Sequence, residues 1–238
     1  MKVDLLFIGA HPDDVEWGLG GSLLLLRKQE LSFAIVDLTR GEMGSRGTAE
    51  ERRQEAIDAA EFLGAAAREN LDLPDCGLVD TPENRRLIAT VIRRFQPNFV
   101  VAPYWEDRHP DHAAAGALVR NAELYATLRK IDDGYAPHKP EGFLYYLLHH
   151  VRAPSLVVDI TGVFDRKMEL LRLHRSQFSK TAEEFGVLPL GMPDYLFGLE
   201  SRDRFFGSLV GVKFGEALVT DRPIRFAGLG ALLDAAGA

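Results

Sequence analysis

The sequence predicts a single α/β domain with a mostly parallel sheet covered by helices on both faces. Three observations lead to this prediction. Apolar runs of strand character alternate with helical segments through the first half of the chain, as in a parallel sheet with crossover helices. The 238 residues suffice for one sizeable core. No Ser/Pro-rich linker divides the chain, so we expect residues 1–238 to form one domain.

The first half contains four predicted strands and four predicted helices in alternation. The strands are 3–10, 31–39, 69–75 and 98–104, and the helices are 15–29, 48–64, 82–96 and 110–128. Thr48 with Glu51 three residues later forms a capping-box pattern at the start of the second helix. Pro82 and Pro110 open the next two helices, a position that proline favours. These signals support the helix boundaries.

The pattern changes after Lys130. Strands are predicted at 141–150 and 154–161 with no long helix between them, so the sheet is expected to end in mixed order. A helix at 164–178, a loop at 180–193 and a further helix at 193–211 complete the prediction.

Composition excludes several function classes. The formal charge of −7 and the pI of about 5.5 argue against nucleic acid as a partner, since phosphate binding requires a basic face. No apolar run is long enough to span a bilayer, and no signal-peptide pattern precedes the first strand, so no membrane partner is expected. Cys76 is the only cysteine, which fits a reducing cytoplasm and leaves His and carboxylates to hold any metal.

Ionisable residues follow all four strands of the first half. His11-Pro-Asp-Asp follows the first strand, Thr39-Arg-Gly-Glu the second, Asp75 the third, and a cluster from Glu106 to His112 the fourth. Ligands of parallel α/β sheets bind at the carboxyl ends of the strands, near a switch in strand order. Turn chemistry alone does not require so many charges, so we expect these side chains to form one site.

Two of these clusters have the composition of a hydrolytic metal site. Two imidazoles and one carboxylate with an open position are typical of catalytic zinc, and His11, Asp14 and His112 could supply them. Asp13 could then accept a proton from water, although spacing alone leaves open which of Asp13 and Asp14 is the ligand. His109 could be a nearby acid whose ring Asp111 holds in one tautomer.

Each cluster alone also has a plain structural interpretation. Asp residues after a proline often do no more than begin a helix, and "HPDH" can be a solvated helix N-terminus. The presence of both clusters at strand ends of one sheet favours the metal site.

The segments "AHPDDVEWGLGG", "LTRGEMGSRGTAEERRQEA" and "RHPDH" resemble the LmbE-like, or PIG-L-like, zinc-dependent deacetylases of N-acetylglucosamine conjugates. The bacillithiol-biosynthesis deacetylases, which act on N-acetylglucosaminyl malate, are the most similar branch. The resemblance implies a Rossmann-like fold, one Zn²⁺ per chain on His11, Asp14 and His112, and Asp13 as general base. It also implies that His109, backed by Asp111, faces the oxyanion and the leaving amine; a protonated His109 is the expectation.

Four further residues are predicted to bind substrate. The family uses an arginine that matches Arg52, whose alternative is a solvated helical face. Arg108 could pair with a substrate carboxylate such as malate, or with Glu106 or Asp107. Asp75 could bind sugar hydroxyls or merely end a strand, and Tyr195 could close the pocket.

The predicted function is therefore removal of the acetyl group from an N-acetylglucosamine conjugate, with the malate conjugate first. The alternatives are an inositol or chito-oligosaccharide conjugate, or a metal-dependent phosphoesterase. A nucleotide-binding scaffold is disfavoured because "GAHPDD" replaces a Gly-rich phosphate turn. A homo-oligomer is expected. The sequence leaves open the aglycone, the native metal among Zn, Fe(II), Co and Mn, and whether Asp13 or His109 protonates the amine.

Overall fold

Seven strands form one mixed sheet in the order β3-β2-β1-β4-β5-β7-β6. The computed structural model describes residues 1–178, 195–225 and 228. The strands are β1 Leu5–Gly9, β2 Phe33–Thr39, β3 Ala67–Leu73, β4 Phe99–Pro103, β5 Gly142–Tyr146, β6 Leu156–Asp159 and β7 Gly215–Val219. The helices are α1 Asp14–Lys28, α2 Ala49–Leu63, α3 Pro82–Phe95, α4 Pro110–Thr127, α5 Phe164–Leu171, α6 Arg175–Phe178 and α7 Tyr195–Ser208.

The first half confirms the predicted parallel sheet. Strand β1 lies between β2 and β4, with Leu5 opposite both Phe33 and Phe99, and all the pairs from β3 to β5 are parallel. The chain moves outward from β1 to β3 and then returns to β4 on the other side of β1. Strand order therefore switches between β1 and β4, and ligands of such sheets bind at that point.

The second half confirms the mixed order but contains a strand that was not predicted. Strand β7 is fully buried and runs antiparallel to both β5 and β6. The predicted helix at 164–178 forms as two helices, α5 and α6, separated by residues 172–174. The predicted loop at 180–193 lies outside the described residues, and α7 occupies 195–208 of the last predicted helix.

Apolar side chains form a core on each face of the sheet. Leu6 and Ile8 of β1 belong to one core, and Phe7 belongs to the other, because successive strand residues point to opposite faces. Helices α3 and α4 cover the first face, while α1, α2 and α5 cover the second.

Helix α1, which carries part of the site, is anchored to the sheet by buried charges. Its backbone departs from helical geometry at Leu19 (φ −138°), and Glu216 of β7 accepts N–H bonds from Gly21 (2.8 Å) and Ser22 (2.7 Å) just beyond that kink. Lys167 of α5 lies 2.6 Å from Glu216, so a buried charge balances this carboxylate. In the described part of the chain, no helix has the length and apolarity to cross a membrane.

Candidate metal centre

The turn from β1 to α1 and the first turn of α4 bring the site residues together. His11 and Asp13 follow β1, and Asp14 opens α1, where its Oδ2 accepts the His11 backbone N–H at 2.8 Å. His109 precedes α4, and His112 lies in the first turn of that helix. Because β1 and β4 are neighbours, the two "HPD" segments meet at the switch in strand order.

His11, Asp14 and His112 converge on one point. Asp14 Oδ2 lies 3.4 Å from His11 Nδ1, and Asp14 Oδ1 lies 3.1 Å from His112 Nε2. The three side chains are buried, and their candidate ligand atoms all lie within 4.8 Å of one another. This is the set of residues expected to hold a metal.

Acidic partners fix which nitrogen of each ring faces Asp14. Asp75 Oδ1 lies 3.1 Å from His11 Nε2, and Asp107 Oδ1 lies 3.2 Å from His112 Nδ1. Burial opposes ionisation of both carboxyls, but their hydrogen bonds with the imidazoles hold the pKa of each well below its usual range. An ionised carboxylate only accepts hydrogen bonds, so His11 Nδ1 and His112 Nε2 face Asp14 as the potential ligand atoms.

The donor set fits a divalent cation. Burial disfavours a charged His112, yet the Asp14 carboxylate and the Asp107 hydrogen bond raise its pKa to about 9. The carboxylate similarly holds the pKa of His11 well above its usual range, again against the effect of burial. The buried Asp14 carboxylate thus stabilises positive charge on both neighbouring rings. A metal bound by two imidazole nitrogens and one carboxylate would supply that charge and leave a position open, as in catalytic zinc sites.

Arg52 occupies a different place from the one expected of a substrate-binding residue. Its Nη2 donates to Asp13 Oδ1 at 3.0 Å and its Nη1 donates to the Gly41 carbonyl at 3.1 Å, with the side chain only 6% exposed. A Cβ on Gly41 would lie 2.0 Å from Arg52 Nη1, so the glycine is what allows this approach. Arg52 lines the cavity but contacts Asp13.

His109 and Asp111 also differ from expectation. The Asp111 backbone N–H donates to His109 Nδ1 at 3.2 Å, so the neutral ring carries its proton on Nε2. The Asp111 carboxylate instead accepts the Cys76 N–H at 2.7 Å and lies 3.5 Å from His11 Nε2. Burial, together with positive charge on His112 and His11, lowers the pKa of His109 to about 4, so the ring is neutral at neutral pH rather than protonated.

A cavity of about 390 Å³ opens over these residues, within the range of small-molecule sites. Tyr195 lines it, with Arg46 Cζ 5.7 Å from the centre of its ring. Asp75 also lines it, but its oxygens contact His11 and the Met43 N–H (2.8 Å) rather than standing open for a sugar. Arg108 is exposed and is not among the lining residues.

Sequence reasoning missed Asp107 and His149. Asp107 lies in the "EDRHPDH" cluster, and its spacing from His112 was the available signal. His149 falls inside the predicted strand 141–150, where neighbouring residues point to opposite faces. Strand β5 ends at Tyr146, however, so His149 lies beyond the strand and lines the cavity. A fifth strand end thus contributes to the site.

Comparison with known proteins finds a matching family and a matching fold. The family model described as PIG-L, GlcNAc-PI de-N-acetylase, matches residues 6–123, a range that contains the two HPD segments. The conserved protein TT1542 from Thermus thermophilus has a crystal structure that matches with a TM-score of 0.84 and 40% identity, covering 94% of this chain and 97% of that one.

Curated relatives of this chain include enzymes of two reaction classes. Diacetylchitobiose deacetylase of Thermococcus kodakarensis is 34% identical over 195 residues, 76% of this chain and 72% of that protein. A probable N-acetyl-alpha-D-glucosaminyl L-malate deacetylase 2 of Bacillus subtilis is 30% identical, covering 74% and 84%. The 4-oxalmesaconate hydratase of Pseudomonas putida is 28% identical, covering 72% and 73%.

Proposed function

Because the chain belongs to the PIG-L (GlcNAc-PI de-N-acetylase) family, we propose that it hydrolyses the acetamide of an N-acetylglucosamine conjugate with one zinc ion per chain. The observation that carries the proposal is the convergence of His11 Nδ1, His112 Nε2 and Asp14 below the cavity, with Asp13 beside them. A bound zinc ion supplies Lewis acidity toward the carbonyl and toward water.

The protein residues then have distinct tasks. Asp13, oriented by Arg52, accepts the proton of the attacking water and later delivers it to the departing glucosamine nitrogen. His109 donates a hydrogen bond from Nε2 to the oxygen on which negative charge develops. Asp75 and Asp107 keep the two ligand rings in the required tautomers. Asp111 sets the His109 tautomer through its backbone N–H.

We propose N-acetylglucosaminyl malate as the specific substrate, with an arginine other than Arg52 or Arg108 binding the malate carboxylate. Arg52 is engaged by Asp13 and Arg108 lies outside the cavity lining, so neither supports recognition of malate. Arg46 does line the cavity, beside the Tyr195 ring, where its Nη1 donates to the Gln177 carbonyl at 2.8 Å, and a guanidinium is suited to a carboxylate. Diacetylchitobiose is the second candidate, favoured by the 34% identity to its deacetylase.

The hydratase relative provides a second candidate reaction. Its 28% identity over 196 residues means that similarity over this length does not by itself distinguish amide hydrolysis from addition of water to a double bond. The distinction is the product, because only the hydrolase releases acetate and a free amine.

A panel of substrates tests the proposal. Zinc-loaded protein is assayed for amine release from N-acetylglucosaminyl malate, N-acetylglucosaminyl inositol, diacetylchitobiose and N-acetylglucosamine, with Asp13→Asn in parallel. Release that is lost in the variant supports the deacetylase. Failure on every sugar, with turnover of 4-oxalmesaconate or of an aryl phosphate, would replace it with a hydratase or a phosphoesterase.

We also propose that the protein is cytoplasmic and forms a homo-oligomer. A chain whose only cysteine is Cys76 forms no internal disulfide, which suits a reducing compartment. Light scattering on the purified protein tests the oligomer, since a monomer at micromolar concentration would contradict it.

A further inference from the structure

His149 lies in the wall of the cavity without a role in the mechanism above. Its ring stacks on His112 at 5.2 Å between centroids and 3° between planes, and it meets Trp17 on another side at 5.3 Å. Both His149 and Trp17 line the cavity. The position of His149 is thus defined by packing beside a candidate metal ligand.

Asp107 fixes the orientation of this ring. Its carboxylate accepts hydrogen bonds from the backbone N–H groups of His109 (2.8 Å) and His149 (2.9 Å). A backbone N–H can only donate. The same carboxylate contacts His112 Nδ1 at 3.2 Å and His149 Nδ1 at 3.1 Å. A carboxylate that serves four donors acts as an acceptor, so His149 carries its hydrogen on Nδ1. Nε2 is then a hydrogen-bond acceptor in the neutral ring.

The Asp107–His112–His149 group does not itself resemble a metal site. Asp107 Oδ1, which contacts both ring nitrogens, also accepts the His109 backbone N–H, so this oxygen is already engaged as a hydrogen-bond acceptor. Moreover, His112 already directs Nε2 toward Asp14. The group therefore joins the metal centre to the cavity wall.

From this arrangement we propose that His149 is a substrate-binding residue whose Nε2 accepts a hydrogen bond from a hydroxyl of the amino-sugar ring. The inference rests on the proposed function, because it requires a sugar in the cavity. Among the described residues no hydrogen-bond partner contacts Nε2, while Nδ1 is engaged by Asp107. A hydroxyl group is a donor of the kind that this nitrogen lacks.

Trp17 supports a sugar as the occupant. Trp17 is 7% exposed, and its indole Nε1 has no hydrogen-bond partner among the described residues. Buried polar atoms in native proteins are nearly always paired, so an orphan in a cavity-lining residue points to a group that a ligand brings. The Arg202 guanidinium lies 3.9 Å from the centre of the Trp17 ring, so the Nε1 donor, and not that ring face, is the group that Trp17 offers to a hydroxyl.

Three variants separate the substrate contact from the support of His112. His149→Asn retains an amide N–H near the position of Nδ1, which can still serve Asp107, but it removes the acceptor at Nε2. His149→Gln instead places an amide oxygen near the position of Nε2. His150→Asn is the matched control, because His150 is adjacent and exposed. Zinc content is measured for each variant.

The substrates are the panel conjugate with the highest kcat/KM and its 3-deoxy, 4-deoxy and 6-deoxy sugar analogues. We expect His149→Asn to lower kcat/KM for the parent about tenfold, the effect of one hydrogen bond of roughly 1.4 kcal/mol. With one of the deoxy analogues the variant and the wild type should be equal. His149→Gln should recover most of the loss, and His150→Asn should change nothing.

Two results would overturn this inference and leave the proposed function intact. One is an equal loss on the parent and on all three analogues, which would mean that no sugar hydroxyl meets His149. The other is loss of zinc from His149→Asn, which would mean that the residue acts only through Asp107 and His112. Wild-type protein that releases amine from no conjugate of the panel would overturn the proposed function, and this inference with it.

Discussion

The Arg52–Asp13 contact makes a prediction at the scale of single residues. Arg52→Gln removes the guanidinium that lies 3.0 Å from Asp13, so the carboxylate loses its orientation toward the attacking water. We expect kcat to fall about 10- to 100-fold while KM stays within about twofold, because misplacing a reacting group costs rate rather than binding. Steady-state kinetics on the substrate with the highest kcat/KM measure both.

Arg53→Gln is the control for this variant. Arg53 is the next residue on α2, is exposed and pairs with Glu50, so its replacement should leave both constants unchanged. A rise in KM without loss of kcat in Arg52→Gln would restore the original expectation that Arg52 binds substrate.

His109 makes a second prediction, which concerns proton donation. Its pKa of about 4 means that the neutral ring is present above that pH and is lost only as pH falls through 4. A neutral N–H donor can be replaced by an amide, so His109→Gln should retain activity within about tenfold, whereas His109→Leu should lose about 100- to 1,000-fold. Equal losses in the two variants, or an acid limb near pH 6 to 7 that disappears in His109→Gln, would contradict a neutral donor.

The sequence predicts which residues come together more reliably than which atoms touch. Clusters at the ends of parallel strands must share one edge, so His11, Asp14 and His112 could be grouped before the structure was known. The partner of Arg52 could not, because Asp13 is 39 residues away and the contact depends on the backbone at Gly41. The His109–Asp111 contact runs through a backbone N–H, which no residue pattern reveals.

At the scale of elements, the close approach of α4 to β4 holds His109 and His112 over the sheet. A Cβ on Gly116 would lie 2.4 Å from the Pro103 carbonyl oxygen, so Gly116→Ala must push α4 away from the strand. We expect a loss of about 1 to 3 kcal/mol in unfolding free energy, measured by urea denaturation, and about tenfold weaker zinc binding, measured by chelator competition.

Gly162→Ala provides the comparison for this helix shift. A Cβ at Gly162 meets nothing within 4 Å, and the substitution should leave zinc affinity unchanged. If Gly116→Ala binds zinc as tightly as the wild type, the first turn of α4 holds its geometry without the β4 contact.

The strands and helices of the first half were predictable because each repeats a local pattern: an apolar run, a polar turn, then a capped helix. Thr48 and Glu51 do form the capping box, and Gly64 ends α2 in the left-handed conformation at φ 70°. Strand β7 escaped prediction because Glu216 interrupts its apolar run. That charge is balanced by Lys167 and accepts hydrogen bonds from the N–H groups and the Ser22 hydroxyl of α1, all distant in sequence.

At the scale of the whole molecule, metal binding should couple to stability. His11, Asp14 and His112 come from two separate segments of the chain, so the metal site exists only in the folded protein. Zinc at about 1,000 times its Kd should add about 4 kcal/mol to the unfolding free energy. Thermal unfolding with and without a chelator measures this effect, and a His112→Gln variant should show no zinc-dependent rise in Tm. An equal rise in that variant would place the ion elsewhere.

The site as a whole follows from topology. The β3-β2-β1-β4-β5 order places the crevice between β1 and β4, and this part was predictable from the alternation of strands and helices. The cavity wall was less predictable. Arg46, Tyr195 and His149 reach the cavity from separate segments that lie far apart in sequence, and no local pattern relates them.

The most direct test of the account is a titration of metal-free protein with zinc while acetate release from the substrate with the highest kcat/KM is measured. Activity is expected to rise in proportion to added zinc and to level off at one equivalent per chain, while Asp14→Ala stays inactive throughout. Acetate release by the metal-free protein, or none at any zinc concentration, would contradict a zinc-dependent deacetylase built on His11, Asp14 and His112.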